Sequence, residues 1–312
     1  MKKIVIVGGA GFVGTALSLA LIRAGYSVLV IDRARPSRIA AADTATHTLV
    51  QSRLSFLTLD LARDEIPAGT FFGVYGVVNL AGAPIAHRWD SAYKNIIVQS
   101  RIATTERIVR ALAATPREER PTVLVSASAV GFYGDRHAEM LHEGSGPGSD
   151  FLAQVCVEWE AAAQAAEDAL VRVVVLRTAH VLGDGGILSE LVPLFERGMG
   201  GYFGSGRQYM PWVHLDDLVA QYVYALEHPL RGPYNTAAGV PVTQKEFMKT
   251  LARALDVVIC WRIPRLAALL AKGSMARIFF GGQKIESTKI VREGFVFIHT
   301  TLAGALRNIF DK

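Results

Sequence analysis

Short apolar runs rich in β-branched residues alternate with longer stretches of helical period through the first two-thirds of this chain. The runs cover residues 4–7, 27–31, 54–59, 77–80, 122–126 and 171–176, and the helical pattern covers residues 12–24, 90–114 and 151–169. Runs that are apolar without alternation suit strands buried on both faces, and the helical stretches between them supply the crossovers that parallel strands require. The pattern predicts an α/β fold, a Rossmann-type doubly wound parallel sheet that binds ligands at the carboxyl ends of its strands.

The first such end is the most informative. Gly8-Gly9-Ala10-Gly11-Phe12-Val13-Gly14 joins the first apolar run to the first helical stretch, and the second run ends in Asp32. Glycines there permit positive φ and close backbone approach, while the N–H groups and dipole of the following helix attract a pyrophosphate. Glycine-dense turns also occur for purely structural reasons. The strand before, the helix after and an acid about 20 residues on favour a dinucleotide.

From about Gly183 the pattern loosens into a glycine-rich loop at residues 198–206, followed by helical stretches at 215–227, 243–255 and 264–279. Residues 1–182 are therefore expected to form the NAD(P)-binding domain and residues 183–312 a smaller substrate or lid region. No repeat or Pro-rich linker separates them, so the two should interleave through chain crossings.

Composition narrows the function classes. At 51% hydrophobic content the chain can bury a sizeable core. Its formal charge of +5 comes from dispersed residues without a basic run interleaved with aromatics, so nucleic acid is not expected as a partner. Cys156 and Cys260 lack CxxC or Cys/His spacing, which argues against a metal site and for a reducing, cytoplasmic setting. Lys2-Lys3 before an apolar run resembles a signal peptide, but glycines interrupt the run, and no apolar stretch of about 18 residues predicts a membrane span.

Further stretches carry a family resemblance: Asn79-Leu80-Ala81-Gly82, residues 99–105 (QSRIATT), residues 126–135 (SASAVGFYGD), residues 151–160 (FLAQVCVEWE), residues 177–183, residues 204–208 and Trp212-Val213-His214-Leu215-Asp216-Asp217. With the GxxGxxG spacing of Gly8, Gly11 and Gly14, the chain resembles the extended short-chain dehydrogenase/reductases, in their atypical epimerase-like branch. The stretch from Ile263 through Gly282-Gln283 to Gly294-Phe295 resembles that branch's tail.

The resemblance implies an NAD(P) site formed by Gly8, Gly11, Phe12, Val13, Gly14, Asp32, Arg33, Asp60, Leu61, Asn79, Leu80, Ala81, Gly82, Ser100, Ser126 and Arg177. Asp32 suits ribose hydroxyls and would repel a 2′-phosphate, favouring NAD. Arg33, Arg35 and Arg38 could clamp that phosphate, and the branch is regarded as NADP-binding, so both cofactors stay open. Tyr133, Gln208, Trp212 and His214 are the substrate-pocket candidates, with core packing the competing reading for Trp212 and His214. The implied substrate is a small molecule such as a sugar nucleotide, and family members commonly pair as homodimers.

Ser128 occupies the position of the family's catalytic serine or threonine. The Tyr-xxx-Lys pair that completes the usual machinery is missing, because residues 151–156 contain neither Tyr nor Lys. That removes a proton-transfer group commonly worth about 10²–10⁴ in rate. Cys156 reads as inert core, and Glu158 and Glu160 as solvent-facing or structural. Two functions follow: an oxidoreductase or epimerase-like enzyme of undefined reaction, or a nucleotide-sensing binding protein without catalysis.

Overall fold

The computed structural model describes residues 1–35, 44–258, 261–264 and 280–311. The expected helix at 264–279 and the residues Arg38 and Cys260 lie outside this set, apart from Pro264. Seven strands form the central sheet: β1 (Lys3–Val7), β2 (Ser27–Asp32), β3 (Leu54–Thr58), β4 (Val74–Asn79), β5 (Val123–Ala129), β7 (Arg172–Thr178) and β11 (Gly232–Asn235). They lie in the order β11-β7-β5-β4-β1-β2-β3 and every pairing is parallel. The doubly wound arrangement expected from the apolar pattern is the one observed.

Three short parallel pairs decorate its carboxyl edge: β6 (Met140–Leu141) with β13 (Lys284–Ile285), β8 (His180–Gly183) with β10 (Trp212–His214), and β9 (Gly201–Phe203) with β12 (Trp261–Ile263). The helices are α1 (Phe12–Arg23), α2 (Thr44–Arg53), α3 (Ser91–Gln99), α4 (Ile102–Ala114), α5 (Phe151–Gln164), α6 (Gly186–Glu196), α7 (Leu215–Glu227), α8 (Gln244–Ala254), α9 (Thr288–Arg292) and α10 (Leu302–Phe310). Among the described residues, no helix is long and apolar enough to cross a membrane.

Successive side chains of each strand enter opposite cores. Ile4, Ile6, Val28, Val30, Val174 and Leu176 pack with Leu17 and Leu21 of α1 and Leu218 and Tyr222 of α7. Val5, Val7, Leu29, Ile31, Val173 and Val175 pack on the other face with Ile108 and Leu112 of α4 and Ala163 of α5. Period-two geometry thus turns an unbroken apolar run into two buried faces.

Three elements depart from the sequence expectation. The predicted helix 90–114 is two helices, because the Ser100 hydroxyl donates to Ile97 O and accepts from Ala83 N–H, anchoring the break to the end of β4. Strand β4 begins at Val74 and runs through Gly76, where an added Cβ would lie 2.8 Å from Leu226 Cδ2, so a glycine in a strand marks close helix packing. Strand β11 is an addition to the predicted strands, and its Gly232-Pro233 start is tolerated because it lies at the sheet edge. It comes from the second half of the chain yet completes the first half's sheet.

Candidate active site

The glycine turn at the end of β1 is closed by its own atoms. Gly8 has φ +77° and a Cβ there would lie 2.7 Å from Ala81 N, while a Cβ on Gly14 would lie 2.5 Å from Gly9 Cα. Both glycines let the turn, α1 and the loop after β4 touch backbone to backbone. Gly11 differs: its missing side chain would meet nothing nearer than Gly8 O at 3.7 Å, and α1 carries no side-chain cap. The first N–H groups of α1 therefore lie at an exposed turn with no side chain over them, an arrangement suited to a pyrophosphate. Phe12 instead packs beneath Gly183, Gly185 and Gly186.

Asp32 lies beside this turn. Its Oδ2 accepts from Ala10 N–H at 3.0 Å and its Oδ1 from Arg33 N–H at 2.7 Å. Arg33 is exposed at the same rim, and Arg35 lies over the Phe56 ring. Asp60 closes a turn through Ala62 N–H at 3.1 Å. Leu61 turns its side chain into the core, and its carbonyl accepts from Thr104 and Arg107.

The end of β4 is shaped by buried amides and hydroxyls. Asn79 donates to Thr105 Oγ1 at 2.8 Å and accepts from Ala81 N–H, and Ser126 contacts the same amide at 3.4 Å. Asn79 and Ser126 are buried, so they shape the crevice wall and present no free group to it. Leu80, Ala81 and Gly82 form the rim.

Sequence reasoning passed over Arg101, which crosses that rim. It donates to Ile97 O and Ala83 O, lies 5.2 Å over Trp159, and has no carboxylate partner among the described ion pairs. An added Cβ on Gly82 would lie 3.0 Å from its Cζ. Burial holds this guanidinium below its ordinary range, as expected of a cation without a counter-ion.

A charged cluster backs the end of β5. Ser128 Oγ donates to Glu160 Oε1 at 2.6 Å, and Arg177 grips the same carboxylate through Nε at 2.9 Å and Nη2 at 2.8 Å. The second Arg177 terminus donates to the Tyr133 hydroxyl and to Glu143 O, and its guanidinium lies 3.5 Å over Phe132. Although burial opposes the Arg177 charge, the Glu160 hydrogen bonds and charge raise the guanidinium above its ordinary range. Burial first, then the Glu160 charge, pushes the neighbouring Cys156 thiol up to about 11, which keeps it protonated.

One expectation changes here: Arg177, expected at the cofactor, is the buried clamp on Glu160. Of the two readings of Glu160 the structural one describes it, with only 14% of its side chain exposed. Ala153, Cys156, Glu160 and Ala163 share one helical stripe, and a carboxylate on that otherwise small, apolar stripe was the available signal.

The pocket candidates divide. Gln208 lines a cavity of about 830 Å³ together with Asp135, His137, Arg207, Arg262 and Phe280. Tyr133, Trp212 and His214 do not, being 0%, 1% and 4% exposed. The Tyr133 hydroxyl donates to Asn235 Oδ1, Trp212 belongs to the core, and His214 caps α7 by accepting from Asp216 N–H. Asp217 receives Ile298 N–H and His299 N–H, pinning the C-terminal tail to the same helix end.

Burial and the charge of His299 hold His214 below its ordinary value of 6.5, so the folded state favours the neutral ring; Asp216 and Asp217 oppose this. The stabilisation is complete above that value and is lost as pH falls below it. His180, lowered to about 4 by burial, acts in the same sense. Urea unfolding at pH 7 and pH 5 should therefore show a steeper acid loss in wild type than in His214→Asn, which keeps a cap without the titration. Equal slopes would contradict this. His214, Asp216 and His299 also bring three potential metal-binding atoms within 4.8 Å of one another, the two rings lying 3.7 Å apart with a tilt of 31°, while His214 Nδ1 already accepts from Asp216 N–H.

Comparison with known proteins agrees with this fold. Residues 4–237 match the model of the NAD dependent epimerase/dehydratase family, and residues 263–309 match a domain of unknown function, DUF1731. The epimerase family protein Mb2239 of Mycobacterium bovis is 36% identical over 97% of this chain and 96% of its own length. A chloroplastic SDR39U1 homolog of Arabidopsis thaliana is 34% identical over 98% of this chain and 86% of its own. The crystal structure of human epimerase family protein SDR39U1 with NADPH superposes at a TM-score of 0.85, with 28% identity and 99% of both chains covered. The Thermotoga maritima UDP-glucose 4-epimerase with UDP-glucose shares the fold at 19% identity and a TM-score of 0.78, covering 99% of this chain and 97% of its own.

Proposed function

The chain belongs to the NAD dependent epimerase/dehydratase family, and we propose that it is an oxidoreductase or epimerase-like enzyme that holds NADP(H) along the edge formed by β1, β2 and β4. The observation that carries this is the uncapped start of α1 at Gly11, open to a ligand and flanked by Asp32 and Ala81. Gly11 to Gly14 would take the pyrophosphate, and the rim at Ala81-Gly82 would border the nicotinamide ribose. When bound, the nicotinamide would supply the redox chemistry. Residues 1–182 then serve as the cofactor half, and residues 183–312 contribute the substrate side.

The NADP preference is supported by the rim of β2. Both Asp32 oxygens already accept backbone N–H groups, one from Ala10 of the turn and one from Arg33, whereas the Arg33 side chain is exposed and can reach a 2′-phosphate. The NADPH-bound human relative points the same way. The cavity bearing Arg207, Arg262 and Gln208 suits an anionic substrate such as a sugar nucleotide. A sensor without catalysis is the weaker reading, because Ser128 retains an ordered proton partner in Glu160.

Parallel calorimetric titrations with NADPH and NADH test the assignment. Arg33→Ala is expected to weaken NADPH by roughly 10-fold or more while sparing NADH, the range of a charge-assisted hydrogen bond. Asp32→Ala should weaken both by disturbing the turn. Unchanged affinities in both variants would refute the assignment.

A further inference from the structure

A second cavity lies away from the cofactor edge. It measures about 630 Å³ and sits beside β11, at the opposite end of the sheet from β3. Its walls come from residues 142–144, Pro233 and the segment 286–293 around α9. Glu143 and Glu286 line it together with Lys289 and Arg292, which stand three residues apart on one face of α9.

Opposite charges lining one cavity can satisfy each other, yet neither cation forms an ion pair with a carboxylate among the described residues. The fold accounts for this at the two inner groups. Lys289 Nζ donates to Pro233 O at 2.7 Å and lies 3.9 Å over the Tyr234 ring, while Glu143 Oε1 accepts Asn235 N–H at 2.9 Å. Both side chains are half-buried and fastened to β11, which leaves N–H donors on the ammonium and an oxygen on the carboxylate unspent. Burial holds the Lys289 ammonium below its ordinary range although the Glu143 and Glu293 charges oppose this, so the nearby acids do not replace its lost hydration. The Glu286 and Arg292 side chains have no hydrogen-bond partner among the described residues. Solvent reaches the cavity, because His142, Arg292 and Glu293 of its lining are exposed.

We propose that this cavity binds a small zwitterion, a molecule carrying both a carboxylate and an ammonium group. Lys289 and Arg292 take the carboxylate, and Glu143 and Glu286 take the ammonium. A ligand with one charge would satisfy one pair and leave the other facing it unpaired or with like sign, so the two signs together select for a molecule that carries both.

Amino acids of increasing length, from glycine through 4-aminobutyrate to 6-aminohexanoate, test this against butyrate and butylamine, which carry one charge each. Protein-observed NMR titration of the full chain should show at least one of the zwitterions bound roughly tenfold or more tighter than both single-charge probes, the range of one charge-assisted hydrogen bond. The amides of residues 142–144 and 286–293 should shift. Glu286→Gln should weaken the zwitterion and spare butyrate, and Arg292→Met should weaken the zwitterion and spare butylamine; both side chains lack a partner, so the fold should tolerate either change. Butyrate or butylamine binding as tightly as every zwitterion, binding of none of the probes, or shifts confined to other residues overturns the inference. The titration needs no cofactor, so its outcome is independent of the NADP assignment.

Discussion

Replacing Arg177 by Ala is expected to destabilise the fold by about 3–5 kcal/mol, the range for removing one partner of a buried ion pair. Its side chain is 4% exposed, and four acceptors each lose a donor together: both Glu160 oxygens, of which Oε1 keeps only Ser128, the Tyr133 hydroxyl and Glu143 O. The Glu160 carboxylate, 14% exposed, can recover little of its hydration. Lysine should restore only part of the loss, because a single ammonium cannot reproduce the two-pronged contact. Removing both charges in Arg177→Met/Glu160→Leu should be milder than Arg177→Ala, since no ion is then stranded. Urea unfolding at neutral pH measures all three. A cost below about 1 kcal/mol for Arg177→Ala would mean the pair is effectively solvated, at the level of an exposed ion pair.

The second large effect is expected at the glycine turn, where two neighbouring substitutions should separate folding from binding. In Gly14→Ala the new Cβ would fall 2.5 Å from Gly9 Cα and 2.7 Å from Gly9 O, so α1 must move off the turn. That overpacking should cost about 1–3 kcal/mol and abolish measurable NADPH binding. In Gly11→Ala the nearest atom is 3.7 Å away and φ is −75°, so the fold should be unaffected. The methyl group would nevertheless stand before the N–H groups of α1 and should weaken NADPH by roughly 10-fold or more, about 1.4 kcal/mol per decade. Thermal unfolding and NADPH fluorescence titration report the two quantities separately. Wild-type affinity in Gly11→Ala would place the cofactor elsewhere.

Much of the architecture was legible because it follows from short-range rules. The unbroken apolar strands, the glycines of the first turn and the acid ending the second strand each report a local backbone requirement. Elements that depend on distant partners were harder to read. Ser100, expected at the cofactor and within one long helix, marks a helix break only because its hydroxyl meets Ala83, and residues 232–235 become a strand only because β7 supplies an edge. Trp212 and His214 carried an aromatic and a polar tip that suited a pocket as well as a core, and only packing distinguished the two.

The proton machinery shows the same division. That Tyr and Lys are missing from residues 151–156 is a property of the sequence, as are the parallel sheet and the nucleotide turn, since composition and spacing specify them directly. Which groups stand near Ser128 is not, because Glu160 lies 32 residues from Ser128 and 17 from Arg177 along the chain. Their meeting depends on the register of β5 against β7, which sets Ser128 opposite Arg177, and on the rotation of α5 that turns Glu160 inward. Hydrophobic period sets an element's type and its buried face, whereas charge pairing across elements arises only when packing brings those faces together.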